Sequence, residues 1–256
     1  MTFSGSGSKQ RVRIGVLALQ GDVREHVRTV EALGGEAVPV RRATELDGVD
    51  GLIIPGGEST TMDKLTRTFQ LAQPLRDLIG NGFPVYGSCA GMIMLSSSIA
   101  DPSLDLDGNP QQTLGGLDMV VRRNAFGRQR ESFETELRFE GLLPAGGAGK
   151  EDPVHAAFIR APWVERVGES VRVLAEVPAA DTPQPGPGSR NSRGARHDDG
   201  PGGGAGAESA AAPEAAPVAR IVAVRSGNLL ATSFHPEVTG EQRVHELFIR
   251  MIRGEA

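Results

Sequence analysis

An α/β fold is predicted, with a doubly wound and mostly parallel sheet flanked by helices. Between residues 12 and 98, short apolar runs of strand length alternate with segments in which apolar residues recur at helical spacing. Several runs are almost continuously apolar, as strands of a parallel sheet are when both of its faces are buried. The carboxyl ends of parallel strands share one edge of the sheet, so functional residues are expected at that edge.

The N-terminal part supplies four predicted strands and four predicted helices. The strands are the apolar runs at 12–19, 37–40, 49–54 and 83–86. The first helix begins after Asp22, a residue type that caps helices, and ends at Gly34 and Gly35. The other helices are predicted at 60–71, 73–79 and 90–98. The last of these is expected to be buried, because its residues are small or apolar.

From Leu114 onward the pattern changes to short runs in which apolar and polar residues alternate. Such alternation is typical of antiparallel strands with one exposed face, so these runs are expected to add antiparallel strands to the sheet. They lie at 117–122, 133–139, 155–159, 171–177, 221–225 and 229–233. An amphipathic helix is predicted at 244–252.

A single domain is predicted over 11–256, preceded by a flexible leader at 1–10. Within it, 178–217 is rich in Pro, Gly, Ala and Ser and is predicted to be disordered. This insertion lies between 171–177 and 221–225, which are expected to pair as a hairpin. A neutral expansion of that hairpin is the favoured interpretation, because loop closure becomes only slowly less favourable with length. A docking or regulatory segment is the alternative.

Composition and charge exclude several classes of protein. The 256 residues carry 27 Lys and Arg against 32 Asp and Glu, a net charge of −5 without long runs of one sign. That balance argues against nucleic acid or an anionic membrane as the main partner. The single cysteine excludes an internal disulfide and a zinc site of several thiolates, and no metal or cofactor is expected. Without a signal-peptide core or a membrane-length apolar run, a cytoplasmic protein is expected.

The strongest chemical signal is Gly-Ser-Cys-Ala-Gly at 87–91, directly after a predicted strand and before a predicted helix. This is the nucleophile-elbow pattern, with Cys89 in the place of the nucleophile. A helix N-terminus next to Cys89 favours the thiolate, and the Ala90 backbone N–H is placed to meet a developing oxyanion. The alternative is an ordinary buried thiol.

A cysteine nucleophile needs a base, and the base needs a group that orients it. His235 and Glu237 provide both residue types, two positions apart, just after the predicted strand 229–233. In extended backbone, positions i and i+2 project to the same side, so the two side chains can lie together. A surface histidine that merely neighbours a glutamate is the alternative.

A third signal is Pro-Gly-Gly-Glu-Ser-Thr at 55–60, again between a predicted strand and a predicted helix. Consecutive glycines leave backbone N–H groups unobstructed, so this turn suits a second oxyanion donor. Glu58 and Ser59 could then meet charged or amide groups of a substrate. The alternative is a tight turn in which Ser59 or Thr60 caps the helix.

These motifs resemble the class I, triad-type glutamine amidotransferase family, and within it the glutaminase subunits of pyridoxal 5′-phosphate synthase. The resembling segments lie at 14–25, 52–62, 87–91, 122–129, 158–162 and 233–237. The first, second and fourth are specific to those glutaminase subunits, whereas the cysteine and histidine motifs mark only the superfamily. Extra residues around 102–112, 145–152 and 178–217 depart from the compact family pattern and leave the motifs intact.

The resemblance implies a role for each matching residue. Cys89 is the nucleophile, with His235 and Glu237 as its relay, and Gly57 and Ala90 form the oxyanion hole. Gly57, Glu58 and Ser59 line the L-glutamine site. Arg123, Ile159 and Arg160 complete it, since a guanidinium suits the α-carboxylate of glutamine.

The implied reaction is hydrolysis of L-glutamine to L-glutamate and ammonia through a cysteine thioester, without any cofactor. Ammonia then passes to a separate synthase subunit that makes pyridoxal 5′-phosphate, so a hetero-oligomer is expected. The nearest alternative is a glutaminase subunit of another amidotransferase, such as imidazole glycerol phosphate synthase. A non-catalytic partner-binding module and a general cysteine hydrolase or peptidase are the alternatives from other classes.

Overall fold

A computed structural model describes residues 11–105, 107–123, 132–144, 152–178 and 219–256. Within these ranges no helix is both long enough and apolar enough to cross a membrane. The predicted leader at 1–10 and, apart from Pro178, the predicted insertion at 178–217 lie outside the described residues. The single-domain organisation stays a prediction.

Ten strands of the described chain form one sheet, and two more form a separate small sheet. In chain order the strands are β1 Arg13–Leu17, β2 Glu36–Val40, β3 Gly51–Ile54, β4 Val85–Ser88, β5 Ser96–Ile99, β6 Leu117–Arg122, β7 Phe133–Leu137, β8 Val154–Phe158, β9 Trp163–Val167, β10 Arg172–Val177, β11 Arg220–Ser226 and β12 Leu229–Thr232. The large sheet has the order β2-β1-β3-β4-β12-β11-β9-β6-β5, and β10 also pairs with β11. Strands β7 and β8 pair antiparallel in the small sheet.

The large sheet has a parallel half and a largely antiparallel half. Strands β2, β1, β3, β4 and β12 are mutually parallel. From β12 onward, β11, β9 and β6 alternate in direction, and only β5 at the edge runs parallel to its neighbour β6. The predicted α/β fold with a mostly parallel sheet and added antiparallel strands is therefore confirmed.

Helices cover both faces of the sheet. They are α1 Val23–Ala32, α2 Ser59–Thr68, α3 Ala72–Gly80, α4 Ala90–Leu95, α5 Pro236–Thr239 and α6 Arg243–Ile252. Helices α1 and α6 share one apolar cluster with Ile53 of β3, whereas α2, α3 and α4 share a second cluster with Ile54. Neighbouring residues of a strand point to opposite faces, so a continuously apolar strand contributes to both clusters.

Three expectations for individual elements were wrong, and one strand was missed. The runs at 133–139 and 155–159 were expected to extend the main sheet, but as β7 and β8 they pair with each other in the small sheet. The helix expected at 90–98 ends at Leu95, because Ser96–Ile99 instead pairs with β6 as a strand. The run at 229–233 is antiparallel to β11, as expected, but it is also parallel to β4 and so belongs to the centre of the sheet. Strand β9 was not predicted, because Glu165 and Arg166 interrupt its apolar pattern.

The hairpin that holds the predicted insertion is present. Strands β10 and β11 pair antiparallel, and their register brings Val177 opposite Arg220. The two strand ends next to the insertion are therefore adjacent in space. Residues 179–218 can vary in length without changing where these strands lie.

Candidate active site

Cys89 lies at the turn from β4 into α4, as the elbow pattern predicts. Its backbone has φ 46° and ψ −100°, and residues other than glycine rarely adopt such a positive φ. A Cβ on Gly87 would lie 2.5 Å from the backbone of Gly91, and a Cβ on Gly91 would lie 2.2 Å from the carbonyl oxygen of Ile54. Both glycines are required because backbone approaches them too closely for a side chain.

His235 and Glu237 lie side by side next to the elbow. The Nδ1 atom of His235 is 2.9 Å from Oε1 of Glu237, and its ring also hydrogen-bonds the thiol of Cys89. The expected adjacency is present, but extended backbone does not produce it. His235 occupies the N-cap of α5 and Glu237 lies in its first turn, with Pro236 as the first helical residue.

Asp22 joins this group instead of capping α1. Its carboxylate accepts no hydrogen bond from the helix N-terminus, so the predicted capping role was wrong. Oδ2 of Asp22 lies 3.3 Å from Nδ1 of His235. Asp22, His235 and Glu237 could together offer a metal three ligand atoms within 4.8 Å of one another. However, Nδ1 of His235 already faces both carboxylates, so a hydrogen on this atom accounts for the arrangement without an ion.

The loop after β3 approaches His235 through its glycines. A Cβ on Gly56 would lie 2.2 Å from Cε1 of His235. Gly57 has φ 153°, and a Cβ there would lie 2.4 Å from Oε1 of Gln20. The same Gln20 oxygen accepts a hydrogen bond of 2.8 Å from the backbone N–H of Glu58. The loop is thus held against His235 on one side and Gln20 on the other.

Glu58 is the residue that caps α2. Its carboxylate accepts hydrogen bonds from the backbone N–H groups of Thr60 and Thr61 at 3.2 and 2.7 Å. These hydrogen bonds, together with those from both threonine hydroxyls, outweigh burial and lower the pKa of Glu58. The alternative of a cap by Ser59 or Thr60 was wrong, because Ser59 is buried and its hydroxyl donates to Oε1 of Gln111 at 3.3 Å.

Arg123, directly after β6, reaches the same loop. Its guanidinium donates to Oε1 of Gln111 at 2.8 Å, to the hydroxyl of Ser103, and to Oε1 of Glu58 at 3.4 Å. Arg123 is 11% exposed in this position. Ser59 and Arg123 thus meet at Oε1 of Gln111, and Arg123 also contacts Glu58 directly. The rest of the motif at 122–129 lies outside the described residues from 124 onward.

Ile159 and Arg160 follow β8 and are exposed. Arg160 has φ 48°, in the left-handed region of backbone conformation. Within the described ranges, no hydrogen bond or ion pair joins either residue to the rest of the predicted site. The structure thus gathers most of the other predicted residues into one region and shows no such contact for this exposed pair.

Most of the motif segments named above lie within a match to a known protein family. Residues 16–182 match the SNO glutamine amidotransferase family. The chain belongs to this family. The resemblance read from the sequence motifs is thereby confirmed.

Curated relatives of this amidotransferase extend over almost the whole chain. The pyridoxal 5′-phosphate synthase subunit PdxT of Arthrobacter sp. (strain FB24) is 63% identical over 245 residues, which cover 96% of this chain and 94% of that protein. The protein of the same name from Pseudarthrobacter chlorophenolicus is 62% identical, and the match covers both chains completely. A solved structure described as a crystal structure of glutamine amidotransferase has a TM-score of 0.68 and 38% identity, covering 94% of this chain and 98% of that chain.

The electrostatics of the amidotransferase site favour a charged pair. Burial lowers the pKa of His235, but hydrogen bonds to Asp22, Cys89 and Glu237 outweigh it and raise the pKa to about 12. Burial raises the pKa of Glu237, but the electrostatic influence of His26 and the hydrogen bonds of His235 and His26 outweigh it and lower the pKa. These interactions favour an imidazolium at His235 next to an ionised Glu237.

Sequence reasoning missed several residues of the site. Gln20, Asp22 and Gly56 lie in motifs that carried the resemblance, so their positions were visible but their contacts were not. Gln111 lies in a segment that departs from the family pattern, and only the structure reveals its contacts with Ser59 and Arg123. Its Nε2 is buried and has no hydrogen-bond partner within the described ranges.

Proposed function

We propose that this chain is the glutaminase subunit of a pyridoxal 5′-phosphate synthase. It hydrolyses L-glutamine to L-glutamate and ammonia, and a separate synthase subunit uses the ammonia to build the coenzyme. The observation that carries the proposal is 63% identity to a PdxT protein over nearly the whole of both chains. The buried contact of Cys89 with His235 supports it, because thiol–imidazole chemistry suits amide hydrolysis.

The first half of the reaction forms a thioester. The thiolate of Cys89 attacks the side-chain amide carbon of glutamine, and the backbone N–H groups of Gly57 and Ala90 hold the resulting oxyanion. The imidazolium of His235, oriented by Glu237, donates its proton to the amide nitrogen. The C–N bond then breaks, ammonia leaves, and Cys89 carries a γ-glutamyl group.

The second half restores the enzyme. His235 is now neutral and accepts a proton from a water molecule, whose oxygen attacks the thioester carbon. The C–S bond breaks, Cys89 returns to the thiolate, and glutamate leaves as its new carboxyl group releases a proton to solvent. No cofactor enters either half of the reaction.

Binding of glutamine falls to the groups around Arg123. The Arg123 guanidinium pairs with the α-carboxylate of glutamine, and Gly57, Glu58 and Ser59 line the same side of the substrate. Glu58 carries a negative charge next to Arg123 and so suits the α-ammonium group. Ile159 and Arg160 close the site from the surface, where the exposed Arg160 is free to move toward a bound substrate.

The partner and the compartment follow from this role. The chain acts in a hetero-oligomer with the synthase subunit, in the cytoplasm. Glutamine hydrolysis depends on the synthase subunit, so that ammonia forms only when that subunit can combine it with a pentose phosphate and a triose phosphate.

The testing experiment measures glutamate release from glutamine by the purified chain, with and without the synthase subunit and both sugar phosphates. Absorbance of pyridoxal 5′-phosphate is followed in the same reaction, and Cys89→Ala is the control. Glutamate release that increases with the synthase and yields the coenzyme supports the proposal. Hydrolysis that never yields the coenzyme contradicts the pathway and favours another amidotransferase. No thiol-dependent hydrolysis under any condition contradicts the activity.

A further inference from the structure

Two buried histidines lie near Glu237 and do not belong to the Cys89, His235 and Glu237 triad. His26 belongs to α1 and His245 to α6, and they are 0% and 1% exposed. Nδ1 of His26 lies 2.8 Å from Nε2 of His245. Nε2 of His26 lies 3.1 Å from the hydroxyl of Ser88 and 3.4 Å from Oε1 of Glu237. The proposed reaction uses neither histidine.

The position of the hydrogen on His26 follows from these distances. A lone pair on Nε2 would face the carboxylate of Glu237 at 3.4 Å and repel it, so Nε2 carries a hydrogen. His245 is uncharged, because burial and the electrostatic influence of His26 lower its pKa to about 3. Nε2 of His26 therefore donates toward Ser88 and Glu237. Nδ1 of His26 contacts Nε2 of His245.

Glu237 depends on these contacts. Three donors face its Oε1 atom: Nδ1 of His235 at 2.9 Å, Nε2 of His26 at 3.4 Å and the Ser88 hydroxyl at 3.5 Å. Its Oε2 is buried and has no hydrogen-bond partner in the part of the chain that the structure describes. A buried carboxylate is strongly unfavourable without donors, so losing one donor of three at Oε1 changes how this carboxylate is held.

Aromatic packing fixes the two imidazole rings. The ring of Tyr86 meets His26 and His245 edge-on, with interplanar angles of 79° and 85°. The hydroxyl of Tyr86 is engaged with Oγ1 of Thr232 at 3.0 Å. Both imidazole rings are therefore packed against a fully buried tyrosine.

We propose that His26, backed by His245, is a positioning residue that holds Glu237 as the acceptor of the His235 hydrogen. This role rests on the proposed function only in so far as the triad hydrolyses glutamine. The titratable groups that act on Glu237 or respond to its charge are His26 from α1, Tyr86 from β4, His245 from α6 and His235 on its own segment. Of these, His26 is the imidazole outside the triad that lies 3.4 Å from Oε1 of Glu237.

The test uses the ionisation of the chain's only cysteine, which needs no glutamine. The pH dependence of alkylation of Cys89 by iodoacetamide is measured for the natural chain and for His26→Asn and His26→Gln. The Gln amide nitrogen can occupy the position of Nε2, whereas the shorter Asn amide cannot. His26→Asn is expected to raise the midpoint of alkylation by about one pH unit or more, because the thiolate loses a correctly placed imidazolium. His26→Gln is expected to recover most of that shift.

Controls separate positioning from general damage to the fold. His155→Gln, at an exposed histidine paired with Glu134 and Glu136, is expected to leave the midpoint unchanged. A folded His26→Asn chain with the natural midpoint overturns the proposal, and so does an equal shift for Asn and Gln. If His26→Asn does not fold, His245→Asn takes its place. It is expected to shift the midpoint in the same direction by a smaller amount, and an unchanged midpoint overturns the proposal.

Kinetics in the complex give a second readout. With the synthase present, His26→Asn is expected to lower kcat for glutamine hydrolysis with little change in KM, because His26 does not contact the substrate. A raised KM at unchanged kcat overturns the positioning role. If no variant hydrolyses glutamine but the alkylation shift is present, the proposed function fails and the role of His26 stands.

Discussion

The residues proposed to react follow strands of the parallel half of the sheet, whereas Arg123, Ile159 and Arg160, which are proposed to hold the substrate, follow strands outside it. Cys89 follows β4, His235 and Glu237 follow β12, and the Gly56–Gly57 loop follows β3. Arg123 follows β6, and Ile159 and Arg160 follow β8, both of which have antiparallel partners. Cys89, His235 and Glu237 are buried, whereas Ile159 and Arg160 are exposed.

This difference reflects two demands on precision. Reacting atoms must be placed to within a fraction of an ångström, and neighbouring parallel strands deliver their carboxyl ends to one edge with a common register. A guanidinium that pairs with a carboxylate through a long side chain tolerates small shifts of its backbone. Substitutions should therefore affect kcat near the parallel strands and KM near the others.

The largest effect is expected at the nucleophile. Cys89→Ala should reduce glutamate release by at least about 10⁴-fold, because no other thiol exists in the chain. Circular dichroism and thermal unfolding check that the variant is folded. Substantial hydrolysis by folded Cys89→Ala would show that Cys89 is not the nucleophile and would contradict the proposal that the reacting groups follow the parallel strands.

The next effect is expected from Gly56→Ala. The new Cβ would lie 2.2 Å from His235, so the imidazole or the loop must move. A displacement of about 1 Å lowers rates by about 100-fold, and we expect a fall of that size in kcat. Gly80→Ala is the matched control, since nothing lies within 4 Å of a Cβ there. Equal activities of the two variants would contradict the close approach.

Arg123→Gln tests the proposed substrate-binding residues, which follow strands outside the parallel half. Loss of the guanidinium should raise KM for glutamine by about 10- to 100-fold, with a smaller change in kcat. Arg122→Gln, at the neighbouring arginine that pairs with Glu165, should leave both constants unchanged. A fall in kcat at constant KM for Arg123→Gln would show that this half also acts on the transition state.

A smaller effect concerns stability rather than rate. His245 has its pKa lowered from 6.5 to about 3 in the folded chain, so below pH 6.5 only the unfolded chain takes up this proton. Stability is therefore lost as the pH falls from 6.5 toward 3, by up to about 1.4 kcal/mol per pH unit. Urea unfolding between pH 6.5 and 4.5 should show a shallower slope for His245→Gln. Parallel slopes would mean that His245 is not buried as an uncharged ring.

The smallest effect on catalysis is expected far from the site. Replacing residues 179–218 by a four-residue Gly-Ser turn joins β10 to β11 where Val177 already faces Arg220. Glutamate release should not change, and the free energy of unfolding should rise by at most about 2 kcal/mol, since each halving of a loop saves about 0.6 kcal/mol. Lost stimulation by the synthase would instead favour the alternative of a docking segment.

Much of the fold and the elbow around Cys89 could be predicted because their signals are local in sequence. Continuous apolar runs identify buried parallel strands, and the elbow glycines surround Cys89 within five residues. The pairing of β12 with β4 could not be predicted, since an apolar run carries no information about a partner so far away in sequence. The strand character of Ser96–Ile99 was hidden for the same reason, because it depends on pairing with β6.

Contacts between side chains limited the prediction of the site. Asp22 is a common capping residue, and its position before α1 favoured that role until the structure placed it beside His235. Glu58 is an unusual cap, and its hydrogen bonds with Thr60 and Thr61 depend on the turn geometry. His26 and His245 are separated by 219 residues, so nothing in the sequence indicated their hydrogen bond.

The place of β12 in the sheet has a consequence for the order of folding. Although it is the last strand in the described chain, it lies between β4 and β11 and joins the two halves of the sheet. Tyr86 and Thr232, 146 residues apart, meet across this junction. Contacts between residues so far apart in sequence form slowly. The pairing of β4 with β12 also places His235 next to Cys89. A chain still emerging from the ribosome therefore holds its thiol without a base, and it gains the power to hydrolyse glutamine only when the sheet closes.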